Sequence, residues 1–350
     1  MKPTPPSRPN QMPEMPYDSR PSVPSDQPPK VSVAMITYNH EKFIAQAIEG
    51  VLMQQTDFSI ELVIGEDCST DGTRRIVEHY SHLRPDLVRP ILHPRNVGIQ
   101  KNGIATMKAC RGNYIALCEG DDYWTAPGKL AKQAAFLEGH PECSSCFHPV
   151  TQFYDNGHNA PTIVGRASDK QFYSLEDIIY NNMAPTCSLV YRNYFKGSFP
   201  EWYHKIGFGD WALQILHAER GLLGYIDEVM ASYRIHAGGV WSTTSRIWQL
   251  EQLVFLYKSL EHYLPAKYRP QIRQCHSRRA YQLSVQCLAA RRVADARRYA
   301  WQSIFTSPFN PSVSLIKRSK QLLLSLAPPT GSVWAALRPP KPPTSGVQRL

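Results

Sequence analysis

The sequence predicts an α/β fold, a mainly parallel sheet with helices on both faces, continued by an all-helical extension. Two observations carry the first part. Short apolar runs alternate with segments of helical apolar spacing from Val31 onward. Each polar cluster follows an apolar run, and open α/β sheets bind ligands beyond the carboxyl ends of their strands. A third observation carries the extension: past Arg246 only the helical period remains.

Residues 1–30 contain ten prolines and few large aliphatics. They cannot bury enough surface to offset their ordering entropy and are expected to be disordered. The first strand is Val31 to Ile36. It runs through Thr37-Tyr38-Asn39-His40 into a helix marked by Phe43, Ile44, Ala47, Ile48, Val51 and Leu52, with Asn39 or His40 placed to cap it. A second strand, Ile60 to Ile64, leads into Glu66-Asp67-Cys68-Ser69-Thr70-Asp71-Gly72-Thr73 and a helix to about Ser81. A third, Val88 to Leu92, leads to Asn96-Val97-Gly98 and a helix from Ile99 to Ala109.

After the turn Arg111-Gly112-Asn113, the strand Tyr114 to Leu117 ends in Cys118-Glu119-Gly120-Asp121-Asp122-Tyr123-Trp124. Three carboxylates within four residues at the end of a buried strand repel one another unless a cation sits among them. Few hard oxygens, with positions left for phosphate and water, are what a divalent ion on a diphosphate requires. Taken alone, the same residues also fit an acidic surface turn.

Downstream, Cys146 to Tyr154 reads as one strand, and Met183 to Arg192 as a loop entering another. Gly207-Phe208-Gly209-Asp210-Trp211 opens a helix whose Ala212, Ile215, Leu216 and Ala218 face the sheet. An acid in its first turn suits the helix dipole. The expected organisation is a disordered tail at 1–30, an α/β domain at 31–243, a helical extension at 246–327 and a Pro-rich tail at 328–350.

The net charge of +10 is uneven. After Glu261 the only acid is Asp295, against fifteen Lys and Arg, so that part carries +14 and the rest about −4. Ser312 to Ala327 mixes aliphatics with Lys317, Arg318 and Lys320. It is expected to lie on an anionic membrane surface, each basic residue contributing roughly 1 kcal/mol. No apolar run spans a bilayer and no export signal opens the chain. The eight cysteines show no disulfide or zinc spacing and read as buried thiols in a reducing compartment. The expected location is cytoplasmic, with peripheral contact at the inner face of the plasma membrane.

Thr37-Tyr38-Asn39, Glu66-Asp67 to Thr73, and Glu119-Gly120-Asp121-Asp122 together resemble the motifs of family 2 glycosyltransferases of the GT-A fold. The resemblance runs from Val31 to about Ser242, and Glu119-Gly-Asp-Asp-Tyr-Trp-Thr125 with Lys129-Leu-Ala-Lys-Gln133 resembles one bacterial branch. It implies an inverting transfer from a nucleotide-diphosphate sugar, expected to be a UDP-sugar, to a glycan or lipid-linked acceptor in cell-surface polysaccharide or lipopolysaccharide synthesis. It also implies a divalent metal, Mn2+ or Mg2+.

Carried over, Thr37 and Asn39 line the nucleotide pocket, Asp67 accepts hydrogen bonds from the base and Lys101 faces phosphate. Asp121 and Asp122 share the metal and ribose-phosphate, Glu119 stands in place of the first Asp, and His236 of Tyr233-Arg234-Ile235-His236 approaches the metal. Asp210 is the catalytic base. Gly209 replaces the family's Glu, so Asp210 loses a like charge and is expected to be ionised but a weaker base. Two rivals are a nucleotidyltransferase, which would show a Gly-rich basic loop after the first strand, and a protein binding nucleic acid or a partner through its basic tail. The tail holds no recognised nucleic-acid module, so nucleic acid is not the expected partner.

Overall fold

The structure, a computed structural model, describes residues 28–157, 159–166, 170–239 and 243–326. Most of the expected N-terminal disordered segment and all of the 328–350 tail lie outside the described residues, as do Val240, Trp241 and Ser242. Strand β1 (Val31–Thr37) pairs in parallel with β2 (Ile60–Glu66) on one side and β4 (Tyr114–Leu117) on the other. Strand β3 (Val88–Leu92) adds in parallel beyond β2. Helices α1 (Ile44–Leu52), α2 (Thr73–Leu83) and α3 (Ile99–Ala109) make the crossovers. Buried on both faces, β1, β2 and β4 read as nearly continuous apolar runs, whereas β3 at the edge is only partly buried. The chain moves outward from β1 to β3, then α3 returns it to the far side of β1. The loops after β1 and β4 therefore diverge from one crevice, the switch point where α/β sheets bind ligands.

Beyond β4, β10 (Val190–Arg192) runs antiparallel between β4 and β6 (Cys143–Phe147). Strand β11 (Leu222–Tyr225) follows in parallel with β6, and β9 (Phe172–Tyr173) closes the edge. A second sheet has the order β5 (Tyr123–Trp124), β12 (Ala231–Ile235), β7 (Val150–Tyr154), β8 (Thr162–Val164). The stretch expected as one strand, Cys146 to Tyr154, is therefore two, in different sheets. Pro149 cannot donate to a ladder, and its carbonyl accepts from the ring Nδ1 of buried His148 at 2.8 Å, so the chain turns there. The acidic motif leaves the first sheet at β4 and enters the second at β5, which holds it between the two.

Helix α5 (Leu175–Tyr180) and helix α6 (Asp210–Ala218) meet the extension, which consists of α7 (Arg246–Tyr263), α8 (Arg269–Ala289), α9 (Val293–Thr306) and α10 (Leu315–Leu326). The Tyr257 hydroxyl donates to the Ile179 carbonyl at 2.9 Å, and its ring meets Trp211 edge-on at 6.0 Å. One apolar core runs from Ile115 through Trp211 to Leu283, so the extension shares its packing with the sheet layer. Three of its arginines form ion pairs: Arg273 pairs with Glu261, Arg292 with Glu251 and Asp295, and Arg298 with Asp295. All eight cysteines are free. Seven are buried, and Cys68 is the exception, half-exposed on a left-handed residue with φ of 58°.

Candidate active site

Close approach of two loops builds the site. The Gly120 N–H donates to the Ile36 carbonyl at 2.9 Å, which lays the acidic motif against the end of β1. A Cβ on Gly120 would sit 2.7 Å from Thr37 Oγ1, so only glycine fits between two of the predicted site residues. Thr37 Oγ1 itself is buried without a hydrogen-bond partner.

The two aspartates that follow diverge. The Asp121 carboxylate (Oδ2) faces His236 Nε2 at 3.0 Å and His40 Nε2 at 3.8 Å. Burial pushes its pKa up, but the His236 hydrogen bond and the two imidazoles outweigh this and hold it below the usual value. Asp122 is not one of the three residues whose ligand atoms meet here. Its Oδ1 accepts the Arg234 backbone N–H at 2.8 Å, and the Cys187 thiol also bonds to this buried carboxylate. Burial and the Asp121 charge push Asp122 well above the ordinary carboxylate range. Glu119 is raised for the same reasons, by burial first and then by Asp121, Asp122 and Asp210.

Arg234, unassigned in the sequence, fastens this arrangement. Its side chain donates to the Asp121 carbonyl at 2.9 Å, to Gln46 at 2.7 Å and to Asp155 at 3.1 Å, and it stacks between Phe43 and Phe153 at 4.4 and 4.8 Å. His40, expected only as a helix cap, turns toward Asp121 instead. His236 meets the Phe43 ring edge-on at 4.8 Å, which fixes its plane beside the carboxylate.

Asn39 does not cap α1 either, since that helix begins at Ile44 with no side-chain cap. With φ of 56°, Asn39 points its Oδ1 at the Thr70 N–H, 2.8 Å away, and ties the loop after β1 to the loop after β2. Asp67 accepts the N–H groups of Val97 at 2.7 Å and Gly98 at 2.9 Å, so its carboxylate already orders the loop before α3. Glu66 is fully buried and pairs with Arg74, a link the sequence did not suggest. Lys101 is exposed on the first turn of α3 and makes no hydrogen bond or ion pair with the carboxylates among the described residues.

Asp210 opens α6 and accepts from Asn182 Nδ2 at 2.9 Å. Gln214, one turn on, donates to Asn182 Oδ1 at 2.8 Å and so fixes which end of that amide faces Asp210. Burial raises the Asp210 pKa, and the Asn182 hydrogen bond only partly offsets it. Desolvation thus acts against the weakening expected from the missing Glu. At Gly209 a Cβ would lie 2.9 Å from the Tyr203 hydroxyl, so that space is already filled. The extension steadies the same loop, because the Gly207 N–H donates to Gln252 of α7 at 2.7 Å. A lone Gln at i+4 on an otherwise apolar helix face was the only sequence signal for the Asn182–Gln214 support.

Residues 32–199 match the family model described as Glycosyl transferase family 2. An uncharacterized protein of Mycobacterium tuberculosis is 39% identical over 219 residues, covering 60% of this chain and 60% of that protein. Among solved structures, residues 1–349 of Staphylococcus aureus TarS in complex with UDP-GlcNAc superpose with a TM-score of 0.61 at 19% identity, over 88% of this chain and 90% of that one. The mannosyltransferase PcManGT of Pyrobaculum calidifontis, in complex with GDP-Man and Mn2+, gives 0.54 at 17% identity over 93% and 82%. At these identities the structural likeness establishes the fold, which is GT-A.

Proposed function

We propose that this chain, whose residues 32–199 match the Glycosyl transferase family 2 model, is an inverting glycosyltransferase moving a sugar from a nucleotide-diphosphate sugar to an acceptor hydroxyl in bacterial cell-surface polysaccharide synthesis. The observation that carries the reading is the meeting of Asp121, His236 and His40 at the β1–β4 switch point, in one acidic neighbourhood with Asp210. TarS bound to UDP-GlcNAc and PcManGT bound to GDP-Man support a nucleotide-sugar donor, with UDP-sugars the first to test.

Thr37 and Asn39 line the nucleotide side of the crevice. Asp67 keeps a second lone pair on each oxygen for the base while it holds the Val97–Gly98 turn. Lys101 remains the phosphate-facing candidate and would have to swing in from solvent. The side chains present suit a divalent cation: ligand atoms of His40, Asp121 and His236 lie within 4.8 Å of one another, and the buried Asp122 carboxylate follows next in the chain. One carboxylate with two imidazoles fits Mn2+ better than Mg2+, which prefers oxygen ligands. When bound, the ion supplies positive charge against the leaving diphosphate.

Asp210 takes the proton of the acceptor hydroxyl as that oxygen attacks the anomeric carbon, and the bond from that carbon to the diphosphate breaks on the opposite face. The proton stays on Asp210, whose raised pKa suits it to hold one. A single displacement inverts the anomeric configuration.

A thermal-shift panel of UDP-, GDP-, dTDP- and CMP-sugars, with and without Mn2+, tests this. One nucleotide class should raise the melting temperature, with the shift growing as the logarithm of concentration and depending on Mn2+. The absence of any shift across the panel would overturn the donor assignment.

A further inference from the structure

Helix α10 buries an unusual share of polar side chains. Its inward side holds Arg318, Gln321 and Ser325 beside Leu322. The Arg318 guanidinium donates to the carbonyls of Ser303 at 3.0 Å, Ser307 at 2.6 Å and Pro308 at 2.7 Å, and to Ser277 Oγ at 3.2 Å. Gln321 donates to Ser284 Oγ at 3.3 Å. The outward side is apolar: Ile316 is 81% exposed and Leu323 67%, with Leu315 and Leu326 at the margins. A surface helix in water normally shows the reverse arrangement.

The neighbouring helix extends the same surface. On α9, Trp301 and Phe305 stack at 5.2 Å, and Phe305 is 72% exposed; Phe309, in the connection to α10, is 93% exposed. Arg297 donates to the Ser325 carbonyl at 3.1 Å, which sets the Arg297–Trp301–Phe305 row beside the end of α10. From Ala296 to Leu326 the chain has five cations and no carboxylate. Arg318 faces inward and Arg298 pairs with Asp295 just upstream, so the outward cations left are Arg297, Lys317 and Lys320.

We propose that this α9–α10 surface docks on an anionic lipid bilayer. The outward aliphatic and aromatic side chains enter the boundary between headgroups and acyl chains, and the flanking Lys and Arg meet the headgroups. Among the described residues no helix is long and apolar enough to cross a membrane, so the surface lies on the bilayer rather than in it. A second copy of the chain would bring like charges together, whereas an anionic bilayer answers the charge and the apolar area at once. This inference does not depend on the glycosyltransferase reading.

Co-sedimentation of the full chain with phosphatidylcholine vesicles, and with vesicles also holding roughly one-third phosphatidylglycerol, tests it. Retention should need the anionic lipid. Ile316→Asn with Leu323→Asn should lower partition at least about tenfold. Lys317→Gln and Lys320→Gln should each lower it roughly fivefold at low salt. All four positions are exposed, so melting temperatures should stay near wild type. Trp301→Ser with Phe305→Ser repeats the test on the other helix. Absence of retention on anionic vesicles, or full retention of both apolar variants, would overturn the proposal. So would a concentration-dependent dimer that those variants abolish, which would assign the surface to a second copy.

Discussion

The parallel sheet buries carboxylates at both of its edges and treats them in opposite ways. At the amino-terminal edge, Glu61 accepts from the Ser32 hydroxyl at 2.6 Å, the Arg111 N–H at 2.7 Å and the guanidinium groups of Arg89 and Arg111 at 2.5 and 2.9 Å. Burial pushes its pKa up, but these partners outweigh burial and hold it below the usual value. At the carboxyl edge, Glu119, Asp122 and Asp210 lie together and are all raised, chiefly by burial. A buried charge met by donors holds the fold together, whereas a cluster left short of positive charge costs stability and is ready to bind a cation or a proton.

Substitutions can break or sharpen that contrast. The largest effect is expected at Asp210. Asp210→Asn keeps the shape and the helix start, so sugar transfer should fall by at least about 10²-fold while donor affinity, read by thermal shift, stays unchanged. Near-wild-type turnover would move the base elsewhere. Glu201 is exposed and paired with Lys205, so Glu119, half-buried near Asp210, would then be the next to test.

Glu61→Gln should cost about 2–3 kcal/mol in a denaturant melt, less than a fully buried pair because Arg89 and Arg111 are partly exposed. Its folded pKa is depressed, so this contribution is present above the unfolded value near 4.3 and disappears as pH falls through the folded one. The gap between wild type and variant should therefore persist from neutral pH down to about 4 and then close.

Asn182→Leu removes the donor that lowers the Asp210 pKa. The acidic limb of kcat/KM should move to higher pH, with turnover at neutral pH reduced by roughly tenfold or less. An unmoved limb would show that Asn182 only packs.

Glu119→Gln should give the smallest change and the opposite sign to Glu61→Gln. Without metal it should be neutral or stabilising by up to about 1 kcal/mol at alkaline pH. The Glu119 pKa is raised in the folded state, so ionisation there costs stability as pH rises, and the variant's advantage should fade as pH drops and the carboxyl takes up its proton. An advantage that grew on acidification would place Glu119 with the satisfied carboxylates.

Much of this was legible in the chain itself. The alternation from Val31 to Leu117 gave four parallel strands and their crossovers, because strands buried on both faces must be apolar and loops must leave at their ends. The same alternation put Thr37, Asp67 and Asp121 on one edge. Composition marked the change to helices near Arg246. The second sheet was not legible, since two of its four strands, β5 and β8, are only two and three residues long and carry no periodicity.

Pairing across long separations belonged to the tertiary structure alone. Asp121 and Asp122 are indistinguishable as sequence, yet one meets His40 and His236 while the other receives the Arg234 backbone N–H from a strand more than a hundred residues away. Asn182 and Gln214 became a support for Asp210 only when α6 packed beside the 182–184 loop. On α10 the sequence showed that both apolar and basic residues were present, but not which side would be buried. Packing decided that, because Arg318 found four oxygen acceptors inside the bundle, which offset part of its desolvation, and Ile316 and Leu323 were left outside. Residue types and their local period set the elements and where they end, while the polarity of each buried position depends on partners that only the assembled fold supplies.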